Sequence, residues 1–244
     1  MKKILVVTRE TFPTNEILTK ENLKNKRILN PYDEYALFQG KKIKEAEGGE
    51  IICLLFSERE SQYGLRTALG LGADRGIFVY YPGKSEKIIG KILAEEIKKE
   101  EYDAVFMGIR DVNDDREELP YKLGIELELP VYSHILSVEN EKNYFIAEKE
   151  KEETIDKIKI SKKGIFAFSQ NVYEPQYPSI LNIMSIKEKA VREAYFKEKT
   201  EEETVKIIYQ DIHRKQEVYK KISACRYPNR TRGSLTHAGN REIA

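Results

Sequence analysis

The residues with chemistry to offer stand at the ends of apolar runs. Arg9 follows Ile4-Leu5-Val6-Val7, and a cation just past the end of a buried strand can meet a phosphate at the carboxyl edge of a sheet. Asn30-Pro31-Tyr32-Asp33-Glu34-Tyr35-Ala36-Leu37 reads as a loop turning into a helix. Asn30 suits the N-cap and Pro31 the first helical position, while Asp33 and Glu34 put negative charge where the helix dipole is positive. Such a helix start presents amides to whatever lies in front of it, and phosphates settle there readily. His134, His213 and His237 stand alone, without a partner at metal-ligand spacing, so structural or solvent-facing roles are predicted for them and no metal is expected. The phosphate-binding and nucleophile motifs Gly-x-x-x-x-Gly-Lys-Ser/Thr, Gly-x-Gly-x-x-Gly after the first strand and Gly-x-Ser-x-Gly are absent. No catalytic residue is predicted.

The elements that must hold these residues alternate. Ile4 to Val7, Ile51 to Phe56, Ile77 to Tyr81 and Asp103 to Gly108 are apolar runs of the kind found in parallel strands covered on both faces. Between them lie helical patterns: Asp33 to about Glu47, stopped by Gly48-Gly49; Leu65 to Leu69, ending at a left-handed cap on Gly72; and Ile88 to Ile97 after Ser85. Glu10 to Leu29 reads as a long, irregular connection. Strand and helix in alternation predict an α/β fold, a Rossmann-like parallel sheet flanked by helices, with ligands at the carboxyl ends of the strands. The loops starting at Thr8, Phe56 and Gly108 are therefore the ones expected to bind. Past Leu129 the pattern changes. Val131 to Val138, Asn143 to Ala147, Ile155 to Ile160 and Ile165 to Phe168 are short runs between charged turns, predicting an antiparallel addition with a solvated hairpin over Glu148 to Lys157.

Beyond Ser185 the chain is strongly charged and predicts a helix through Tyr195 and a last apolar run, Val205 to Tyr209. The organisation expected is an α/β domain over 1–189, a C-terminal arm over 190–225 and a disordered or foreign tail over 226–244. That tail holds four arginines and no lysine, whereas the preceding residues hold nine arginines among many lysines. The composition excludes several classes of function. Lys plus Arg at 42 against Asp plus Glu at 41 leaves +1, which provides no basic field for nucleic acid or an anionic membrane. The first apolar run is too short for a signal peptide or a membrane insertion. Cys53 and Cys225 lie too far apart for a disulfide framework, and free thiols suit a reducing, cytoplasmic setting.

Three blocks together resemble a known family. They are Asn30 to Leu37, then Leu65-Arg66-Thr67-Ala68-Leu69-Gly70-Leu71-Gly72-Ala73-Asp74-Arg75, then Glu174-Pro175-Gln176-Tyr177-Pro178-Ser179-Ile180-Leu181-Asn182-Ile183-Met184. In this order and at these separations they resemble the beta subunit of electron-transfer flavoprotein from about Lys3 to about Lys189. The resemblance implies electron transfer in a heterodimer, with an alpha subunit carrying the redox FAD and dehydrogenases as electron donors; the chain itself would make no bonds. It further implies a site for AMP, or for a second FAD in bifurcating relatives, at Val7 and Arg9, Asn30, Pro31, Tyr32 and Asp33, Phe56, Gly108, Arg110, Asn113 and Asp114. Ile180, with Leu181 and Met184, falls where the family docks its dehydrogenases; the alternative is that all three are core.

The chain departs from the family in the loop after the fourth strand. Glu117, Glu118 and Leu119 replace small or neutral residues, and Pro120 removes an amide donor. Carboxylates facing a phosphate predict weakened nucleotide binding unless Arg110 or Arg116 turns inward. Glu153-Thr154 and Lys163 replace a Gly-Gly pair and a proline in the hairpin, and Tyr173 replaces an asparagine. The alternative expectation is a nucleotide-binding or nucleotide-free α/β scaffold acting without an alpha subunit.

Overall fold

The run Ile4 to Val7 seeds a longer strand than its apolar core suggests. In the computed structural model β1 spans Lys3–Thr11, so Arg9 and Glu10 lie on the strand itself. The structure describes residues 3–13, 27–112, 115–152, 154–161, 163–169 and 177–197. The chain divides into Met1–Glu198 and Lys199–Ala244, and the described residues all fall in the first. The expected apolar run at Val205, the two distal histidines, Cys225 and the tail lie outside them.

A two-residue strand, β2 (Ile28–Leu29), pairs antiparallel with the end of β1, matching Glu10 with Leu29. This sets Asn30 beside Arg9, where α1 (Pro31–Glu47) begins. Then follow β3 (Glu50–Ser57), α2 (Tyr63–Leu71), β4 (Arg75–Tyr80), α3 (Glu86–Ile97), β5 (Ala104–Gly108) and α4 (Glu118–Leu127). The last third is β6 (Val131–Asn140), β7 (Tyr144–Glu150), β8 (Ile155–Ser161), β9 (Ile165–Phe168), α5 (Ile180–Ser185), a 3-10 turn (Ile186–Glu188) and β10 (Val191–Tyr195). Gly48 and Gly72 close α1 and α2 at φ 73° and 136°, the left-handed region that side chains avoid.

The sheet runs β10-β4-β3-β1-β5-β9-β6-β7-β8. Because side chains alternate along a strand, Ile4 and Val6 of β1 pack with α1 and α2 on one face, while Leu5 and Val7 pack with α3 and α4 on the other. Successive strands leave β1 in one direction to β3 and β4, then return to its other side at β5. That reversal makes the carboxyl end of β1 the switch point where such sheets hold ligands.

Two expectations need correction. The four late runs were expected to form one antiparallel addition, but only β6, β7 and β8 do so; β9 is parallel to both β5 and β6 and extends the main sheet. Its buried Ile165 to Phe168 has the continuous apolar pattern of a covered parallel strand. The helix expected through Tyr195 is instead a strand, because Val191, Glu193 and Tyr195 alternate with Arg192 and Ala194 in exposure, and β10 pairs parallel with β4. This strand lies past residue 189, where the domain was expected to end.

Candidate functional site

Asp33 is the hub of the switch point. Third in α1, its side chain is fully buried and aimed back at the sheet, where one oxygen accepts from the amide of Arg9 at 2.9 Å and the other from the amide of Gly108 at 2.8 Å. The guanidinium of Arg9 adds two further hydrogen bonds, each 3.1 Å, and reaches the Gly108 carbonyl at 3.3 Å. Burial works against the charge of Arg9, but the carboxylate of Asp33 outweighs it and holds the guanidinium above its usual range. Gly108 is required here: a Cβ on it would lie 2.5 Å from both Asp33 Oδ1 and Tyr32 Cβ.

Asn30 occupies the N-cap position but uses its side chain elsewhere. Its Nδ2 donates to the Arg110 carbonyl at 2.9 Å, and its Oδ1 accepts from the Val112 amide at 3.4 Å, tying the helix start to the loop leaving β5. Arg110 Nε donates to the Tyr32 hydroxyl at 3.0 Å, its guanidinium lies over the Tyr32 ring, and its far end pairs with Asp115 at 2.9 Å. The structure thus brings Arg9, Asn30, Tyr32, Asp33, Gly108 and Arg110 into one network. Val7 lies beneath them in the core, Pro31 opens the helix, and Asn113 and Asp114 lie outside the described residues.

Beside this network opens a cleft of about 340 Å³, at the carboxyl ends of β1 and β3 and the start of α3. Of the predicted residues, Arg9 and Phe56 line it. Phe12, Phe56 and Ile89 give it apolar surface, and Arg27, Arg59, Lys84 and Arg116 give it positive charge. The carboxylates Glu10, Glu58, Glu86 and Asp111 line it too; Glu10 accepts from the Gly64 amide at 2.8 Å and Ser57 Oγ at 3.1 Å, and Asp111 from Thr11 Oγ1 at 3.2 Å. Burial pushes the Glu10 carboxyl up, against the pull of those donors. Arg27 stacks on Phe12 at 3.5 Å, and Arg116 stands 4.0 Å from Glu86. Glu117 and Glu118, expected to face a phosphate, do not line this cleft. Glu118 pairs with Lys122 one turn along α4, and Glu117 lies 3.7 Å from Arg110 and 4.0 Å from His134, away from the cleft lining. Lys84 and Ile89 were not expected at the site, because Ile89 reads only as part of the helix after Ser85 and β4 lies two strands from β1. Among the described residues, no group of three His, Cys, Asp or Glu side chains could hold a metal ion.

The second predicted site is the segment at α5. Ile180, Leu181 and Met184 are 77%, 78% and 71% exposed, so the core alternative fails. Ser179 caps the helix by accepting from the Asn182 amide at 3.1 Å. The preceding residues Tyr173 to Gln176 lie outside the described residues. No described helix is long and apolar enough to cross a membrane.

Comparison with known proteins matches residues 17–199 to the electron transfer flavoprotein domain. The electron transfer flavoprotein subunit beta of Syntrophomonas wolfei is 30% identical over 202 residues, covering 79% of this chain and 79% of that protein. The subunit of the same name from Bacillus subtilis is 28% identical over 199 residues (78% and 77%), and that of Homo sapiens 27% over 172 residues (68% and 68%).

Proposed function

The chain belongs to the electron transfer flavoprotein family, on the side of its beta subunits, and from that premise we propose that it pairs with an alpha subunit bearing the redox FAD and docks the dehydrogenases that reduce it. The observation that carries this reading is the cluster of Ile180, Leu181 and Met184, apolar side chains in solvent on one short helix. Folding gains nothing from leaving them there, whereas a transient docking site needs such anchors. The chain supplies structure and recognition, and makes no bonds itself.

The cleft suits a structural AMP. A flat base has Phe12, Phe56 and Ile89 to lie against, and a phosphate has Arg59, Lys84 and Arg116, whose charge is set against that of Glu58 and Glu86 in the same lining. The Asn30 to Asp33 turn contributes shape more than contact, because the amides of Arg9 and Gly108 already serve Asp33. A flavin, where bound, supplies reversible one- and two-electron chemistry; this chain's residues would hold and shield it. A reducing compartment such as the cytoplasm suits Cys53, whose thiol burial pushes up to about 12.

The test is co-expression with the alpha-type subunit from the source genome, size exclusion, flavin absorbance and analysis of released nucleotide. A yellow heterodimer with AMP is expected. A yellow heterodimer without nucleotide keeps the electron carrier and removes the cleft ligand. A colourless chain that folds alone and ignores the alpha subunit overturns the proposal in favour of an independent scaffold.

A further inference from the structure

No residue of α5 is buried; the helix touches α2, and its flanks add the specific bonds that fix its position. The holding groups lie on either side of it and converge on one target, the carboxyl end of α2. From after the helix, Lys189 Nζ donates to the carbonyls of Leu69 at 2.7 Å and Ala73 at 2.8 Å. The Leu69 carbonyl is one that a helix end leaves without an intrahelical partner, at the negative pole of its dipole, and the Ala73 carbonyl lies just past the Gly72 cap. Lys44 of α1 reaches the same end, donating to the Gly72 carbonyl at 3.3 Å and to Asp74 at 2.6 Å.

From before α5, Pro178 rests on Gly70. A Cβ built on Gly70 would lie 3.3 Å from Pro178 Cβ and Cγ and 3.4 Å from Ile186 Cδ1. Ile186 itself packs on the core that contains Leu69 and Ala73. Beyond Lys189, the Gly76 amide donates to the Ala190 carbonyl at 2.9 Å, and the chain enters β10. The Leu65 to Arg75 block, which the nucleotide cleft leaves unexplained, is therefore the surface on which the exposed helix sits.

We infer that the carboxyl end of α2 is the seat of the docking helix, with Lys189 and Gly70 as positioning residues for dehydrogenase recognition. The inference rests on the docking role proposed above. A docking anchor with no buried side chain is only as well placed as its flanks, and a surface pre-organised in its bound form loses less freedom on binding. Lys189 fixes the exit and Gly70 allows the entry to approach closely. Neither residue touches the partner in this account.

The experiment uses the heterodimer as substrate for the source organism's flavin dehydrogenase that reduces it fastest, with KM and kcat measured separately. Ile180→Ala is the reference. Lys189→Met is expected to raise KM for the heterodimer several-fold with kcat unchanged, Lys189→Arg to recover much of it, and amides from Asn182 to Ser185 to exchange faster in Lys189→Met. Gly70→Ala keeps every ion pair and improves helix propensity, yet it must displace Pro178 or Ile186, so KM is expected to rise while the melting temperature does not fall. If Lys189→Met fails to assemble, Gly70→Ala decides. Wild-type KM in Lys189→Met and Gly70→Ala, with KM raised in Ile180→Ala, overturns the seat and leaves docking intact. Wild-type KM in Ile180→Ala as well removes the docking role, and the seat with it.

Discussion

The switch point and the helix α5 are inverted in opposite ways. At one, Asp33 and Arg9 place full charges where the chain is dry, 0% and 8% exposed; at the other, α5 places its largest apolar side chains in water. The buried charges are answered entirely from within the chain, by each other and by the amides of β1 and β5. The exposed apolar residues find no such answer in the described structure. A polar inversion that is satisfied internally holds the fold together, whereas an apolar inversion left unsatisfied awaits a partner. The two regions should therefore respond to substitution in opposite currencies, stability at the first and recognition at the second.

Removing one half of the buried pair is the strongest way to break that contrast. Asp33→Ala leaves the buried Arg9 guanidinium and the Gly108 amide without their acceptor, a loss of about 3–5 kcal/mol. Urea unfolding should show it as a lower midpoint at a nearly unchanged slope. A loss below about 1 kcal/mol, within the range of an exposed ion pair, would mean that the pair is solvated and that the contrast is false. Gly108→Ala comes next. Its Cβ would meet Asp33 Oδ1 and Tyr32 Cβ at 2.5 Å and the Asp33 amide at 2.8 Å, and because backbone is involved the expected loss lies near the top of the about 1–3 kcal/mol range for overpacking.

The sequence showed the two regions unequally. The α/β alternation, the apolar strands and the start of α1 are local patterns and could be seen directly. The role of Asp33 could not. Its charge at a helix start has a sufficient local reason in the dipole, and its actual partners, Arg9 and Gly108, come near only when the sheet forms. The same holds for Asn30, a good N-cap by type whose side chain is taken by the β5 exit loop. For α5, resemblance drew attention to Ile180, Leu181 and Met184, but only burial could show that they are exposed and not core. The run after it misled because Val191 to Tyr195 is charged and short, and β4 makes it a strand. The partners of Glu117 and Glu118, Arg110 and Lys122, could not be read from the sequence either.

The edge strand β10 is held by ion pairs of its own, and their pH dependence sharpens the comparison. Arg192 reaches from this strand to Glu96 and Glu100, while Arg75 of β4 binds Glu100 at 2.7 Å and Glu50 at 2.6 Å. Burial pushes the Glu96 carboxyl up, but hydrogen bonds from Lys99 and Arg192 outweigh it and hold the group below its usual range. Between the folded value and the unfolded one of about 4.3 the unfolded chain binds more protons, so stability from Glu96 is present above that pH and is lost as pH falls through the folded value. Glu96→Gln should cost about 1 kcal/mol at neutral pH and flatten the acid limb of stability against pH, measured by urea titration at each pH. An acid limb as steep as that of the wild type would assign the dependence to other carboxylates.

The smallest effect on stability is expected where the largest effect on recognition lies. Ile180 is 77% exposed, so truncating it removes little packing, and Ile180→Ala should change unfolding free energy by no more than about 0.5 kcal/mol. As an anchor in a docked complex the same side chain would be enclosed, where truncation typically costs about 2 kcal/mol, or roughly 30-fold in affinity. The two measurements bracket the residue from both sides. A stability loss above about 1 kcal/mol with unchanged reduction by the dehydrogenase would place Ile180 among the residues that hold the fold, and α5 would then resemble the switch point after all. Unchanged stability with weakened docking would make the two regions complementary, one closing the molecule on itself and the other opening it to a partner.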